Sequence, residues 1–298
     1  MMKQLIRINN KKMEILQKGN SGTPILILTG MGCSFEEWHG VTEVLSKTNK
    51  IIMFHRPGLG ESEIGNENCT TSQIVQEITC LLSELEIAEP IILVGHSYGG
   101  LCAQHFVKLH PHKVRALILV DSTSEDLEKL DALELPVLNE DSSDEEWTET
   151  CKSYAELDET ELKKIIKPTL TEQQKKLPYF IQQNLIEFQQ KPNLYKAMKS
   201  EVENWKIDGK MIKDLGRADH LPLLVIGRDK NHMIQLGIRE GLPEAELALL
   251  EATWEQLIID QAKLSSDSRV IFAENAGHAV YLDRPDLIIM AVNGMLQQ

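Results

Sequence analysis

Short apolar runs alternate along the chain with stretches whose apolar residues recur at helical spacing. The runs are Leu5–Ile8, Met13–Gln17, Pro24–Leu28, Ile51–Phe54, Ile91–Val94, Val114–Val120, Leu223–Ile226 and Val270–Phe272. From the third onward most are continuously apolar, as strands covered on both faces should be. The first two are joined by Asn9-Asn10-Lys11 and read as a hairpin at the N-terminal edge. Helices are expected at Phe35–Ser46 behind Ser34 as N-cap, at Thr71–Leu85, at Leu101–Leu109, and at Pro285–Leu296 with Pro285 in the first turn. Thr71–Leu85 carries Ile74, Val75, Ile78, Leu81, Leu82 and Leu85 on one face. Strands alternating with helices imply βαβ units and an α/β fold with a mainly parallel sheet.

The alternation breaks between Ser124 and Leu221. This stretch is polar and helix-prone, and it holds Trp147, Tyr154, Tyr179, Phe180, Phe188, Tyr195 and Trp205, seven of the chain's 15 aromatic residues. It reads as a helical lid inserted between two sheet strands. Residues 124–216 are assigned to that lid, or cap, subdomain, and residues 1–123 and 217–298 to the core domain. The aromatics either form the lid's own core or line a channel. Glu125–Glu161 carries 15 acids and 2 bases, and Leu162–Leu215 carries 6 acids and 11 bases. Two such neighbours either pair with one another or form two solvated faces. A second helical insertion, from about His232 to Leu264, places Leu247, Leu250, Trp254, Leu257 and Ile258 at helical spacing. Internal repeats and low-complexity linkers are absent from the pattern.

The 298 residues, 42% of them apolar, suffice for a sizeable core. No apolar run reaches the roughly 18 residues of a membrane span. The N-terminal residues are followed by polar positions rather than a signal-peptide core. A net charge of −14 argues against nucleic acid and anionic membranes as partners. Five scattered cysteines without a C-x-x-C pair suit reduced thiols in a cytoplasm. Neither metal-ligand spacing nor a glycine-rich phosphate loop is present, so no cofactor and no metal are expected. The expected partner is a small-molecule substrate; a homodimer is left open.

The most informative segment is Gly95-His96-Ser97-Tyr98-Gly99, which follows the strand Ile91–Val94 and precedes a helix. This is the G-x-S-x-G nucleophile elbow in its strand–turn–helix setting. Small residues are needed at Gly95 and Gly99 because the backbone passes too close for a side chain. The following helix aims free N–H groups and its positive end at the serine. A serine hydroxyl needs a base poised near neutrality, and nine histidines compete for that role.

With these residues in view the chain resembles the α/β-hydrolase fold superfamily, over nearly its whole length. Leu28-Thr29-Gly30-Met31-Gly32-Cys33-Ser34 resembles the family's oxyanion loop, with Thr29 where a histidine is common. His55-Arg56-Pro57-Gly58-Leu59-Gly60-Glu61-Ser62 is similar to the D-x-P-G-x-G-x-S turn, with His55 in place of Asp. The elbow is the third segment, and Asn275-Ala276-Gly277-His278 through Pro285 resembles the segment that carries the catalytic histidine. The resemblance implies an α/β-hydrolase fold: a mostly parallel eight-stranded sheet, flanked by helices, with an inserted helical lid. It also implies a triad of Ser97 as nucleophile, His278 as base and Asp229 as acid, in the family's order.

Asp229 sits in Ile226-Gly227-Arg228-Asp229, with one residue rather than the commoner two between glycine and acid. Asp121, ending Val114–Val120, is the alternative acid. A catalytic Asp229 would require Arg228 and Lys230 to point outward. The backbone N–H groups of Met31 and Tyr98 are the implied oxyanion donors. His96 is expected to point away from Ser97, and His39 and His55 to lie near the pocket. The implied activity is cleavage of a small ester or related carbonyl compound through an acyl-enzyme. The alternatives are a C–C or amide hydrolase with the same triad, or a non-catalytic binding protein on the same fold. Ser97 argues against the dehalogenases and epoxide hydrolases of this fold, whose nucleophile is Asp.

Overall fold

The computed structural model describes residues 2–65, 68–140 and 143–297. Eight strands form one sheet: β1 (Met2–Ile8), β2 (Lys11–Lys18), β3 (Pro24–Leu28), β4 (Lys50–Phe54), β5 (Ile91–His96), β6 (Val114–Val120), β7 (Leu223–Gly227) and β8 (Ser268–Phe272), in the order β1-β2-β4-β3-β5-β6-β7-β8. Each of the eight contains one of the apolar runs, with β1 starting three residues earlier and β2 and β8 two. β1 and β2 are antiparallel, with Ile8 opposite Lys11, and β2 is antiparallel to β4; every pair from β4 to β8 is parallel. Asn9 and Asn10 turn the hairpin at φ 48° and 64°, the left-handed geometry that a two-residue turn demands.

The flanking helices are α1 (His39–Leu45), α2 (Thr71–Glu84), α3 (Tyr98–Leu109), α10 (Val280–Asp283) and α11 (Pro285–Leu296). Two of them differ from the sequence pattern. Phe35–Ser46 splits into a 3-10 turn over Phe35–Trp38 and the short helix α1. Helix α3 begins at Tyr98, three residues earlier than expected, because Gly99 and Gly100 hide its first turn from a pattern based on side chains. They are there for close approach: a Cβ on Gly99 would lie 2.4 Å from the Thr29 carbonyl oxygen, and one on Gly95 2.7 Å from the Gly100 Cα. One apolar core packs α2 and α3 on one face of the sheet, and a second packs α1 and α11 on the other.

Between β6 and β7 lie α4 (Asp144–Ala155), α5 (Glu159–Ile165), α6 (Tyr179–Gln189) and α7 (Pro192–Asp214). Capping boxes start α4 (Ser143 with Glu146) and α5 (Asp158 with Glu161), which gives part of the acidic run a structural use. The two charge blocks pair in part. Lys206 meets Asp131 and Asp144 at 2.8 and 2.7 Å, Lys210 meets Glu128 at 2.8 Å and Lys213 meets Asp126 at 2.5 Å, so α7 neutralises the start of the acidic stretch. Phe188 and Tyr195 are buried in a cluster with Leu59, Cys151 and Leu162, Tyr154 packs edge-on to Tyr195, and Tyr179 and Phe180 are exposed. After β7 come α8 (Lys230–Arg239) and α9 (Glu244–Gln261), joined closely where a Cβ on Gly237 would meet Leu247 at 2.6 Å. None of the described helices is long and apolar enough to cross a membrane.

Candidate active site

Ser97 stands between β5 and α3 at φ 51° and ψ −126°, a strained backbone for a residue with a side chain. Neighbouring chain over-determines it. The Ser97 N–H donates to the Val120 carbonyl at 3.2 Å, and Thr123 N–H donates back to the Ser97 carbonyl at 3.1 Å. Across from it, a Cβ on Gly30 would lie 3.1 Å from the Ser97 Cβ, so the loop after β3 runs directly against the serine. Among the described residues, the N–H groups of Met31 and Tyr98 donate to no protein acceptor, which leaves both free for a ligand oxygen.

His278 lies in the loop between β8 and α10, and its ring is held by Asp121. Its Nδ1 donates to Asp121 Oδ2 at 2.6 Å, so Nε2 carries the free lone pair. Asp121 ends β6 in the left-handed region at φ 38° and is fully buried. Its carboxylate accepts three more hydrogen bonds: from Trp254 Nε1 (2.9 Å) and the Arg228 backbone N–H (3.1 Å) on Oδ1, and from Arg228 Nη1 (3.3 Å) on Oδ2. Burial works to raise this carboxyl, but the His278 bond and the Arg228 charge outweigh it and bring it down to about 2. Arg228 is in turn compensated by Glu251 of α9, at 2.9 Å from Nε and 2.6 Å from Nη2, and its guanidinium stacks over Trp254 at 4.4 Å.

Asp229 is placed elsewhere. Its Oδ1 caps α8 by accepting from the Asn231 and His232 N–H groups at 2.9 and 3.1 Å, and its Oδ2 accepts from the Asn275 N–H at 3.0 Å. The single residue after Gly227 brings this carboxylate to the helix start, where it ties down the backbone of the His278 loop instead of the ring. Arg228, which a catalytic Asp229 would require to point outward, turns its side chain inward onto Asp121. Lys230 points to Glu255 on α9.

Two other histidines, His96 and His55, brace the site. His96 does not point away from it. Its Nε2 donates to the His278 carbonyl at 3.0 Å, and its ring packs 4.7 Å from the His278 ring. Burial, aided by the neighbouring His278, holds His96 down near about 3, so it stays neutral. His55 is buried: Nδ1 donates to Glu14 at 2.7 Å and Nε2 accepts from the Phe35 N–H at 3.2 Å, which anchors the end of the loop after β3. Among the described residues no cluster of His, Cys, Asp and Glu has the arrangement of a metal site.

The sequence profile of the α/β-hydrolase fold matches residues 23–285. The chain belongs to the α/β-hydrolase family. Among curated relatives, this α/β-hydrolase is 26% identical over 119 residues to the uncharacterized protein YbdG of Bacillus subtilis, covering 39% of this chain and 37% of that one. It is 27% identical over 109 residues to the pimeloyl-[acyl-carrier protein] methyl ester esterase of Aeromonas hydrophila, covering 36% and 41%. The chain spans less than half the length of these relatives. Among solved structures, an enol-lactonase from Burkholderia xenovorans superposes with a TM-score of 0.68 at 17% identity, over 99% of this chain and 100% of that one. An epoxide hydrolase from Vigna radiata superposes with a TM-score of 0.72 at 15% identity, over 99% and 98%. At these identities the superpositions speak to the fold alone.

Four contributors escaped the sequence reading: Arg56, Glu201, Trp254 and Glu251. Arg56 lay within the turn after β4, where only the Pro and Gly pattern drew notice. The other three sit on helices, and nothing in their spacing distinguishes a charge or indole aimed at the site from one on a solvated face.

Proposed function

We propose that this protein is a serine hydrolase that cleaves a small ester through an acyl-enzyme, with Ser97 as nucleophile, His278 as base and Asp121, rather than Asp229, as the acid. The observation that carries the reading is the 2.6 Å bond from His278 Nδ1 to a buried carboxylate held by three further hydrogen bonds, beside a serine at the strained elbow. That bond fixes the tautomer whose Nε2 can take a proton.

Ser97 Oγ attacks the ester carbonyl carbon and its proton passes to His278 Nε2. The carbonyl oxygen becomes an oxyanion that accepts from the Met31 and Tyr98 N–H groups. The tetrahedral adduct expels the alcohol, which takes the proton from His278. Water then repeats the sequence and releases the acid. Each oxyanion donor contributes roughly 3–4 kcal/mol in the transition state. The ionised Asp121 stabilises the imidazolium in both halves. A serine at the elbow separates this chemistry from that of an aspartate-dependent epoxide hydrolase. The helical insertion at 124–216 acts as the lid, and the five free thiols suit a cytoplasmic setting.

The test is turnover of p-nitrophenyl esters from acetate to octanoate, together with fluorophosphonate labelling, for wild type and Ser97→Ala. Turnover and labelling that vanish in Ser97→Ala support the reading. A folded wild type that neither turns over nor labels replaces it with the binding-protein alternative.

A further inference from the structure

The oxyanion loop is gripped from behind by one buried arginine. Arg56 Nη1 donates to the Thr29 carbonyl at 2.6 Å, and Nη2 donates to the Gly30 carbonyl at 3.0 Å. The same guanidinium forms a forked ion pair with Glu201 of α7: Nε to Oε1 at 2.7 Å and Nη2 to Oε2 at 3.2 Å. Both side chains are essentially inaccessible, at 2% and 1%. Burial raises the Glu201 carboxyl against the pull of Arg56, while the guanidinium stays charged. The ring of Tyr98, whose N–H is the second oxyanion donor, lies under Arg56 with its centroid 5.1 Å away.

The Gly30 carbonyl and the Met31 N–H belong to the same peptide unit. A trans peptide is planar, so its C=O and N–H point in opposite directions. Fixing the Gly30 oxygen on Arg56 therefore aims the Met31 N–H away from Arg56, and among the described residues that N–H has no protein acceptor. Helix α7 touches the loop a second time: a Cβ on Gly32 would lie 2.9 Å from Met198 Sδ, one turn before Glu201. A Cβ on Gly58, in the turn that carries Arg56, would lie 2.8 Å from Ala197.

We propose that Arg56 is a positioning residue that sets the oxyanion hole by fixing the Gly30–Met31 peptide plane, and that Glu201 makes the placement of α7 a condition for that hole. This inference rests on the proposed reading of Ser97 and Met31. A guanidinium is required because its planar fork serves two carbonyls and a carboxylate together, which an ammonium on a flexible stem does not reproduce. The pair also ties the insertion to the chemistry: movement of α7 away from the sheet removes the carboxylate that orients Arg56.

The experiment compares wild type with Arg56→Lys and with the double variant Arg56→Met/Glu201→Met, which replaces the buried pair by apolar side chains rather than stranding one charge. Melting temperature, kcat, KM and inhibition by an aryl trifluoromethyl ketone, whose serine adduct carries an oxyanion, are measured for each. The expected result in the folded double variant is a kcat about 10²–10³-fold lower, a matching loss of ketone affinity, and a KM within about threefold. Arg56→Lys keeps the charge and is expected to lose at least about tenfold in kcat with KM similarly unchanged. If either folded variant retains wild-type kcat and ketone affinity, the pair is structural only and the proposal is overturned. A wild type whose turnover survives in Ser97→Ala overturns the reading beneath it instead, a result told apart by fluorophosphonate labelling of the serine.

Discussion

At the residue scale, the two aspartates separate cleanly by what they hold. Asp121→Asn strands the imidazole in the wrong tautomer and is expected to lower kcat by about 10⁴-fold. Asp229→Ala removes a cap and a loop tether, and is expected to leave kcat within about tenfold while costing about 1 kcal/mol of stability. Ester turnover and urea denaturation of the two variants check this pair, and equal losses of kcat would sink the assignment. A second carboxyl shapes the pH response. Glu37 is buried, accepts from the Tyr281 hydroxyl at 2.6 Å, and is pushed by burial up to about 7. Its folded value lies above the roughly 4.3 of an unfolded carboxyl, so its contribution is full below about pH 4 and is lost as pH rises toward 7. Glu37→Gln keeps the acceptor without the charge, and the decline in melting temperature between pH 5 and 7.5 is expected to flatten. Asp121 and Glu14, both near 2, lose their contributions only in acid, outside that window. The proposed roles of Ser97 and His278 were legible in the sequence because local motifs carry them. Asp121 against Asp229 was not, because the choice turns on which strand end lies under a ring 157 positions away from Asp121.

At the scale of elements, β3 to β7 were readable because strands buried on both faces leave unbroken apolar runs, and the more exposed β1, β2 and β8 still carry short ones. Helix α3 was misread at its start for the opposite reason, since its first turn is made of residues chosen for their lack of side chain. Gly99 is the position where this matters most. An alanine there meets the carbonyl oxygens of Thr29 at 2.4 Å and Leu28 at 2.5 Å, both of them backbone. Gly99→Ala is expected to cost about 1–3 kcal/mol or more and to lower activity with it, because relief must come from the end of β3 and the loop proposed to hold the oxyanion. Denaturant unfolding beside ester turnover tests this; wild-type stability would show that the loop yields freely. Helices α7 and α9 were foreseen only as helices. Glu201, Trp254 and Glu251 reach the site from them, and helical spacing says which face is apolar, not which polar residue is turned inward.

At the scale of the whole molecule, ion pairs offset the acids locally, through the lysines of α7 and pairs such as Lys18–Glu43, Arg228–Glu251 and Lys230–Glu255, but an excess of acids remains. A net charge of −14 then opposes compaction through mutual repulsion, which salt screens. The melting temperature is therefore expected to rise between 10 and 200 mM NaCl; a fall would mean that the surface pairs of α7 outweigh the repulsion. The strained elbow has a last consequence, for the order in which the chain is made. Ser97 takes its backbone geometry from bonds to Val120 and Thr123, and the imidazole proposed to activate it is encoded near the far end of the chain, at position 278. On the proposed reading the ribosome thus carries a serine without its base until position 278 has been made. The nascent chain then lacks the group that would let Ser97 acylate on passing metabolites, and that reactivity waits for the segment carrying His278 to dock.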